Sequence, residues 1–202
     1  NRTSRVACAL GAATIVASLF AGNASAGTKQ PVTPLYAGVG SHYSTPLSNP
    51  LGIFYDNVKK ECYVADTGNG QVVVFNDSGM PVYRFPHFVP GRNDEPKAGE
   101  PKSLVVDAEG TIYLVDGQAP YIDVLDTRGR SITHIDVPGD SCGQPERFTH
   151  VALGGDQSVY AITACKTPRV LVITDRTIAR TVVLRTNETD RACINGLTLD
   201  PQ

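Results

Sequence analysis

The sequence predicts an all-β protein, a β-propeller built from four-stranded blades. Three observations carry that expectation. A unit of four strand-sized apolar runs recurs along the chain, with Tyr63, Tyr113 and Tyr160 heading equivalent second strands at intervals of 50 and 47 residues. A repeat of 40 to 50 residues containing four strands is the mark of a propeller blade. The composition agrees: 19 Gly and 14 Pro in 202 residues, with no Gly-X-Y period, suit many short strands joined by turns. Finally, no window after residue 26 sustains a helical period.

The elements follow in chain order. Residues 1–26 read as a secretory signal peptide: Arg2 and Arg5, an apolar run over 6–20, then a small-residue exit ending at Ala26. The run is shorter than the ~20 residues of a membrane-spanning helix. Cleavage after Ala26 removes both arginines and takes the net charge from −2 to −4. The expected location is therefore secreted or periplasmic, with no membrane association after cleavage. A chain of that charge is not expected to bind nucleic acid. Residues 27–49 form an N-terminal segment, and its stretch 35–39 reads as a strand able to close a ring.

The partial propeller spans 50–202. The first blade covers about 50–90, the second 100–137 and the third 145–184. The start of a fourth lies at 194–202. Turn chemistry separates the strands: 76–79 and 126–129 join third strands to fourth and end in Gly79 and Gly129, and 108–110 ends in Gly110. Glycine there supplies the positive φ of a tight hairpin. The first two strands of each unit are apolar almost throughout, as in sheets covered on both faces.

The run Pro50-Leu51-Gly52-Ile53, then Tyr63-Val64-Ala65-Asp66-Thr67-Gly68-Asn69, then Val72-Val73-Val74-Phe75 with Gly79, resembles the NHL repeat. The likeness is close over 50–79, looser over 101–129 and degenerate over 145–175. It implies a six-bladed ring, of which about three blades are present. Three units and one strand cannot close a ring, and the chain begins with Asn1 rather than Met, so the expectation is a piece of a longer product. The family spans scaffolds, RNA-binding modules, sensor domains and a few lyases, so the resemblance is specific for fold and not for activity.

In a propeller, the turns between second and third strands share one face with the connections between blades. The longest connection, 86–100, carries Arg92, Asp94, Glu95 and Lys97. Long loops on a rigid scaffold are where binding usually resides, although a solvated insertion fits the same residues. Gln118 and Lys166 lie in turns of the same face. His150 aligns with Gly52, Ser103 and Gly196 at the start of the innermost strands, near the mouth of a central channel. An imidazole there is either a zinc ligand or a hydrogen-bonded structural residue. His42, His87 and His134 fall in connecting or outer segments. Asp66 and Asp116, with Gly68 and Asn69, read as turn-shaping residues rather than calcium ligands, because the alternating oxygens and distal Glu of a calcium loop are missing. Of the cysteines, Cys142 with Cys165 is the preferred disulfide and Cys165 with Cys193 the rival. Asn187 opens a glycosylation pattern.

Two functions follow as expectations. The first is an exported binding or scaffold module, without cofactor or metal, that presents its loop-rich face to a protein or carbohydrate partner. The second is a metal-assisted lyase or lactone hydrolase with its site in the central channel and His150 as one of its residues.

Overall fold

A computed structural model gives the fold. It describes residues 45–137, 147–163 and 168–184, together with 196, 197 and 199. The signal peptide, the strand at 35–39, Lys166, Cys142, Cys165, Cys193, Asn187 and most of the fourth unit lie outside the described residues.

Three antiparallel sheets of four strands succeed one another. Blade 1 contains β1 (Gly52–Asp56), β2 (Glu61–Asp66), β3 (Gln71–Phe75) and β4 (Pro81–Pro86). The connection to blade 2 is not a simple loop. It holds a small hairpin, β5 (Phe88–Pro90) and β6 (Pro96–Ala98), turned by a 3-10 turn at Arg92–Asp94. Blade 2 contains β7 (Pro101–Val106), β8 (Ile112–Asp116), β9 (Tyr121–Leu125) and β10 (Ser131–Asp136). Blade 3 contains β11 (Phe148–Leu153), β12 (Val159–Thr163), β13 (Arg169–Thr174) and β14 (Thr177–Val183).

Each blade is a meander, so its strands lie side by side in sequence order. The innermost strands are neighbours: β7 packs against both β1 and β11. The turn glycines have the backbone their positions demand, with φ of 72° at Gly79, 88° at Gly110 and 77° at Gly129. At Gly129 the Phe85 ring of blade 1 also lies where a side chain would stand, so the turn serves as an inter-blade contact.

The core consists of two layers between blades. One holds Tyr63, Ala65, Val72, Val74 and Phe85 of blade 1 against Leu104, Val106, Ile112, Leu114 and Leu125 of blade 2. The other holds Val105, Tyr113, Val115, Ile122 and Val124 of blade 2 against Val151, Val159, Ala161, Leu171 and Ile173 of blade 3. Successive residues of a strand point to opposite faces. Blade 2 therefore sends alternate side chains into alternate layers, which is why 104–106 of β7 and 112–115 of β8 read as unbroken apolar runs. The outer strands are different: most of β10 and β14 is exposed, and a register shift disturbs the pairing of each with its neighbour.

Candidate functional site

The connection between blades 1 and 2 raises a two-stranded hairpin on the loop-bearing face. Its hairpin is rooted in a buried polar cluster. The His87 N–H donates to Gly70 O (2.9 Å), and the Gly99 N–H donates to His87 O (2.9 Å). The first bond fixes one leg of the hairpin to blade 1, and the second ties the two legs together at their base. The His87 imidazole is 3% exposed. Its Nε2 lies 3.5 Å from Asp116 Oδ2 and its Nδ1 4.0 Å from Asp123 Oδ2. Neither distance makes a hydrogen bond, and Nε2 has no partner among the described residues. Gly99 closes over the cluster, where a Cβ would collide with the Asp116 carboxylate and the His87 ring.

The carboxylates are held by other donors. Asp116 Oδ2 accepts the Glu100 N–H (2.6 Å) and Oδ1 the Gln118 N–H (2.7 Å). Asp123 Oδ1 accepts the Ser131 hydroxyl (2.6 Å). Burial holds the His87 imidazole below its ordinary range, against the pull of Asp116 and Asp123. Burial also raises the Asp123 carboxyl, against the Ser131 hydrogen bond and the nearby His87.

Above this root the hairpin presents exposed Arg92, Glu95 and Lys97. The tip turns through Asn93, whose φ is 59°, and closes with Gly91 N–H donating to Glu95 O (2.8 Å). Asp94 lies in the same turn. Beside the foot of the hairpin, Gln118 Nε2 donates to Glu100 Oε1 (3.0 Å), and Arg147 Nη1 donates to Gly117 O (2.6 Å). The structure thus gathers Arg92, Glu95, Lys97 and Gln118 at the junction of blades 1 and 2.

His150 stands apart from that group, on β11 at the inner wall. Its Nδ1 lies 3.2 Å from Ser103 Oγ on β7, and the same oxygen accepts the Val151 N–H (3.1 Å). Burial lowers the His150 pKa. The pair joins two innermost strands, and Ser103 is itself buried. Among the described residues no group of three or more His, Cys, Asp or Glu is arranged to hold a metal ion.

The two turn aspartates occupy equivalent positions. Asp66 Oδ1 accepts the Ser48 N–H (2.6 Å), while Oδ2 accepts Asn69 Nδ2 and Gln71 Nε2, both at 2.7 Å. Gly68 N–H donates to Ser48 O (2.7 Å), and a side chain there would strike Ser48. Thr67 reaches across to blade 2, its hydroxyl donating to Pro101 O (2.6 Å).

His87, Asp123, Ser103 and Arg147 are the participants that sequence reasoning passed over. For His87 a signal did exist. Phe85, His87 and Val89 are buried and Pro86, Phe88 and Pro90 exposed, so the alternation of β4 runs on into the connection. Ser103 shows in the sequence only as the repeat equivalent of His150, and Arg147 leaves no trace, because only the packing of separate blades gives them partners.

No protein-family model matches the chain, and no curated protein matches it. Solved structures do. A catalytically inactive variant of virginiamycin B lyase from Staphylococcus aureus, determined with quinupristin, is 14% identical with a TM-score of 0.53, over 72% of this chain and 45% of that one. The WD40 repeats of RRP9 are 10% identical with a TM-score of 0.50, over 69% of this chain and 40% of that one. The chain thus spans less than half the length of either structure. Likeness at such identity shows the fold alone. Together with the three four-stranded antiparallel sheets, it identifies the described residues as blades of a β-propeller.

Proposed function

We propose that the chain is part of an exported, NHL-like propeller that acts as a binding or scaffold module through its loop-rich face. The observation that carries this reading is the hairpin of β5 and β6, an exposed and charged tip on a buried, hydrogen-bonded root. A rigidly mounted tip loses little conformational freedom when a partner engages it, which favours binding. The proposed partner is a protein or a carbohydrate, met outside the cytoplasm. The leader-like run over 6–20 supports export, and the residues of 50–79 support the NHL likeness.

The test is a binding comparison between the wild-type chain and the triple variant Arg92→Ala, Glu95→Ala, Lys97→Ala, against panels of oligosaccharides and of exported proteins. Loss of about tenfold or more in affinity, with unchanged thermal unfolding, is expected for the partner of this face; tenfold corresponds to about 1.4 kcal/mol. A ligand that binds both forms equally would remove the hairpin from the reading. A second reading, propeller-type lyase or lactone hydrolase chemistry at the channel, rests on His150. Its Nδ1 is taken up by Ser103 Oγ at 3.2 Å, so in this reading Nε2 would be the atom offered to a ligand.

A further inference from the structure

The turns between third and fourth strands are built alike in blades 1 and 2 and finished differently. In blade 2, Asp126 Oδ1 accepts the Arg128 and Arg130 amides, at 2.8 and 2.9 Å. Its other oxygen, Oδ2, is taken by the Arg130 guanidinium, with Nε and Nη2 both at 2.7 Å. In blade 1, Asn76 Oδ1 accepts the Ser78 and Met80 amides in the same way, at 3.1 and 2.9 Å. Gly79 N–H donates to Asn76 O as Gly129 N–H donates to Asp126 O, each at 2.9 Å. The turn thus asks its first residue for one acceptor oxygen, which aspartate and asparagine both supply.

The second side-chain atom is where the two blades part. Two amide donors on one atom of Asn76 identify that atom as the oxygen, so the other is the amide nitrogen. Met80 stands where Arg130 does, and Asn76 Nδ2 forms no hydrogen bond among the described residues. Blade 2 also has Arg128 where blade 1 has Ser78, whose hydroxyl is exposed and donates to Asp77 Oδ1 (3.4 Å). Both exchanges together turn 76–78 into Asn-Asp-Ser, which fits the acceptor pattern for N-linked glycans. Among the described residues the pattern occurs here alone.

The position is open to solvent. Asp77, Ser78 and Met80 are exposed. In blade 2, which has a blade on either side, the equivalent atom Asp126 Oδ2 meets an Arg130 side chain that is 73% exposed. A neighbouring blade therefore does not close this corner of the turn. In a meander the third-to-fourth turn and the connection leaving the fourth strand lie at opposite strand ends. A group attached to Asn76 is thus remote from the hairpin of β5 and β6.

We propose that Asn76 is an acceptor for an N-linked glycan. The donor is an oligosaccharide carried on a polyprenyl diphosphate. Nδ2 bonds to the anomeric carbon of its first sugar, the bond from that carbon to the diphosphate oxygen breaks, one Nδ2 proton is lost and the lipid diphosphate leaves. Nothing is oxidised or reduced. The product is still an amide, so Oδ1 continues to accept the Ser78 and Met80 amides and the turn survives the modification. An aspartate, as in blade 2, would hold the turn equally well and offer no nitrogen. The proposal rests on the export reading, because the donor is met only on a secretory route.

The test is expression of the full chain in a eukaryotic secretory cell, once with its own N-terminus and once with a host leader ahead of residue 1. Peptide N-glycosidase converts a glycosylated asparagine to aspartate, so peptide mass spectrometry after digestion should find Asp at position 76. Ser78→Ala and Asn76→Asp should each lose one glycan by gel mobility, and Asn76→Asp should keep the wild-type melting temperature. The triple variant of Arg92, Glu95 and Lys97 should carry the Asn76 glycan as the wild type does, which separates this site from the loop-face reading. Secretion only with the host leader would count against export and leave the acceptor measurable. Asparagine unchanged at 76 in the secreted form, or an unaltered glycan number in Ser78→Ala, would overturn the proposal.

Discussion

Asp66 and Asp116 end the second strands of their blades and hold the same backbone feature with different helpers. Each carboxylate accepts an amide from the chain that enters its own blade, Ser48 in one case and Glu100 in the other. The remaining capacity of Asp66 goes to Asn69 and Gln71, whereas Asp116 has His87 alongside. The aspartates were legible because the repeat displays them twice in register. His87 was less so, because its burial depends on a hairpin folding back over it. His150 allows a clean test of a single titration. Burial alone lowers its pKa from the ordinary 6.5. A folded-state pKa below the unfolded one contributes stability that is fully present above pH 6.5 and is lost as pH falls through the depressed value. Urea midpoints measured from pH 7.5 down to 5 should therefore fall more steeply for the wild type than for His150→Gln. Parallel slopes would mean that His150 titrates as freely folded as unfolded.

Among the elements, β8 and β14 show how position within a blade sets the cost of a change. Every residue of β8 is buried, and Leu114 is 0% exposed in the layer facing blade 1. Leu114→Ala removes buried methyl groups and leaves a cavity, so a loss of about 3 kcal/mol is expected. Val182→Ala on β14, where Val182 is 38% exposed, should cost less than about 1 kcal/mol. Chemical denaturation of the two variants checks the contrast, and comparable losses would contradict the layer assignment. The four-strand rhythm was readable because glycine turns and apolar runs alternate along the sequence. The hairpin of β5 and β6 was not. Its strands are three residues long and bounded by Pro86, Pro90 and Pro96, so they give almost no period, and its pairing shows only in three dimensions.

For the molecule as a whole, the two faces of blade 1 have unequal fates. Leu51, Ile53 and Tyr55 are 55%, 74% and 46% exposed. The repeat equivalents of the last two, Leu104 and Val106, are buried against the preceding blade. Ile53 and Tyr55 therefore stand at positions that pack blade on blade and here face outward. Apolar residues clustered in this way promote association. Ile53→Ser should raise the concentration at which the chain scatters light and leave its melting temperature unchanged. An unchanged scattering threshold would place the sticky surface elsewhere. Blade 2, covered on both sides, has a different exposure to error. A strand that slips by one residue usually betrays itself by turning polar side chains inward. In β7 and β8 it would exchange one apolar set for another, so hydrophobicity is nearly blind to the mistake. Correct alignment falls instead to short-range chemistry: Asp107 gripping the amides of Glu109 and Thr111, and Asp126 gripping those of Arg128 and Arg130. Such contacts close within a few residues and cost little loop entropy. A sheet covered on both faces thus takes its accuracy from the turns at its ends.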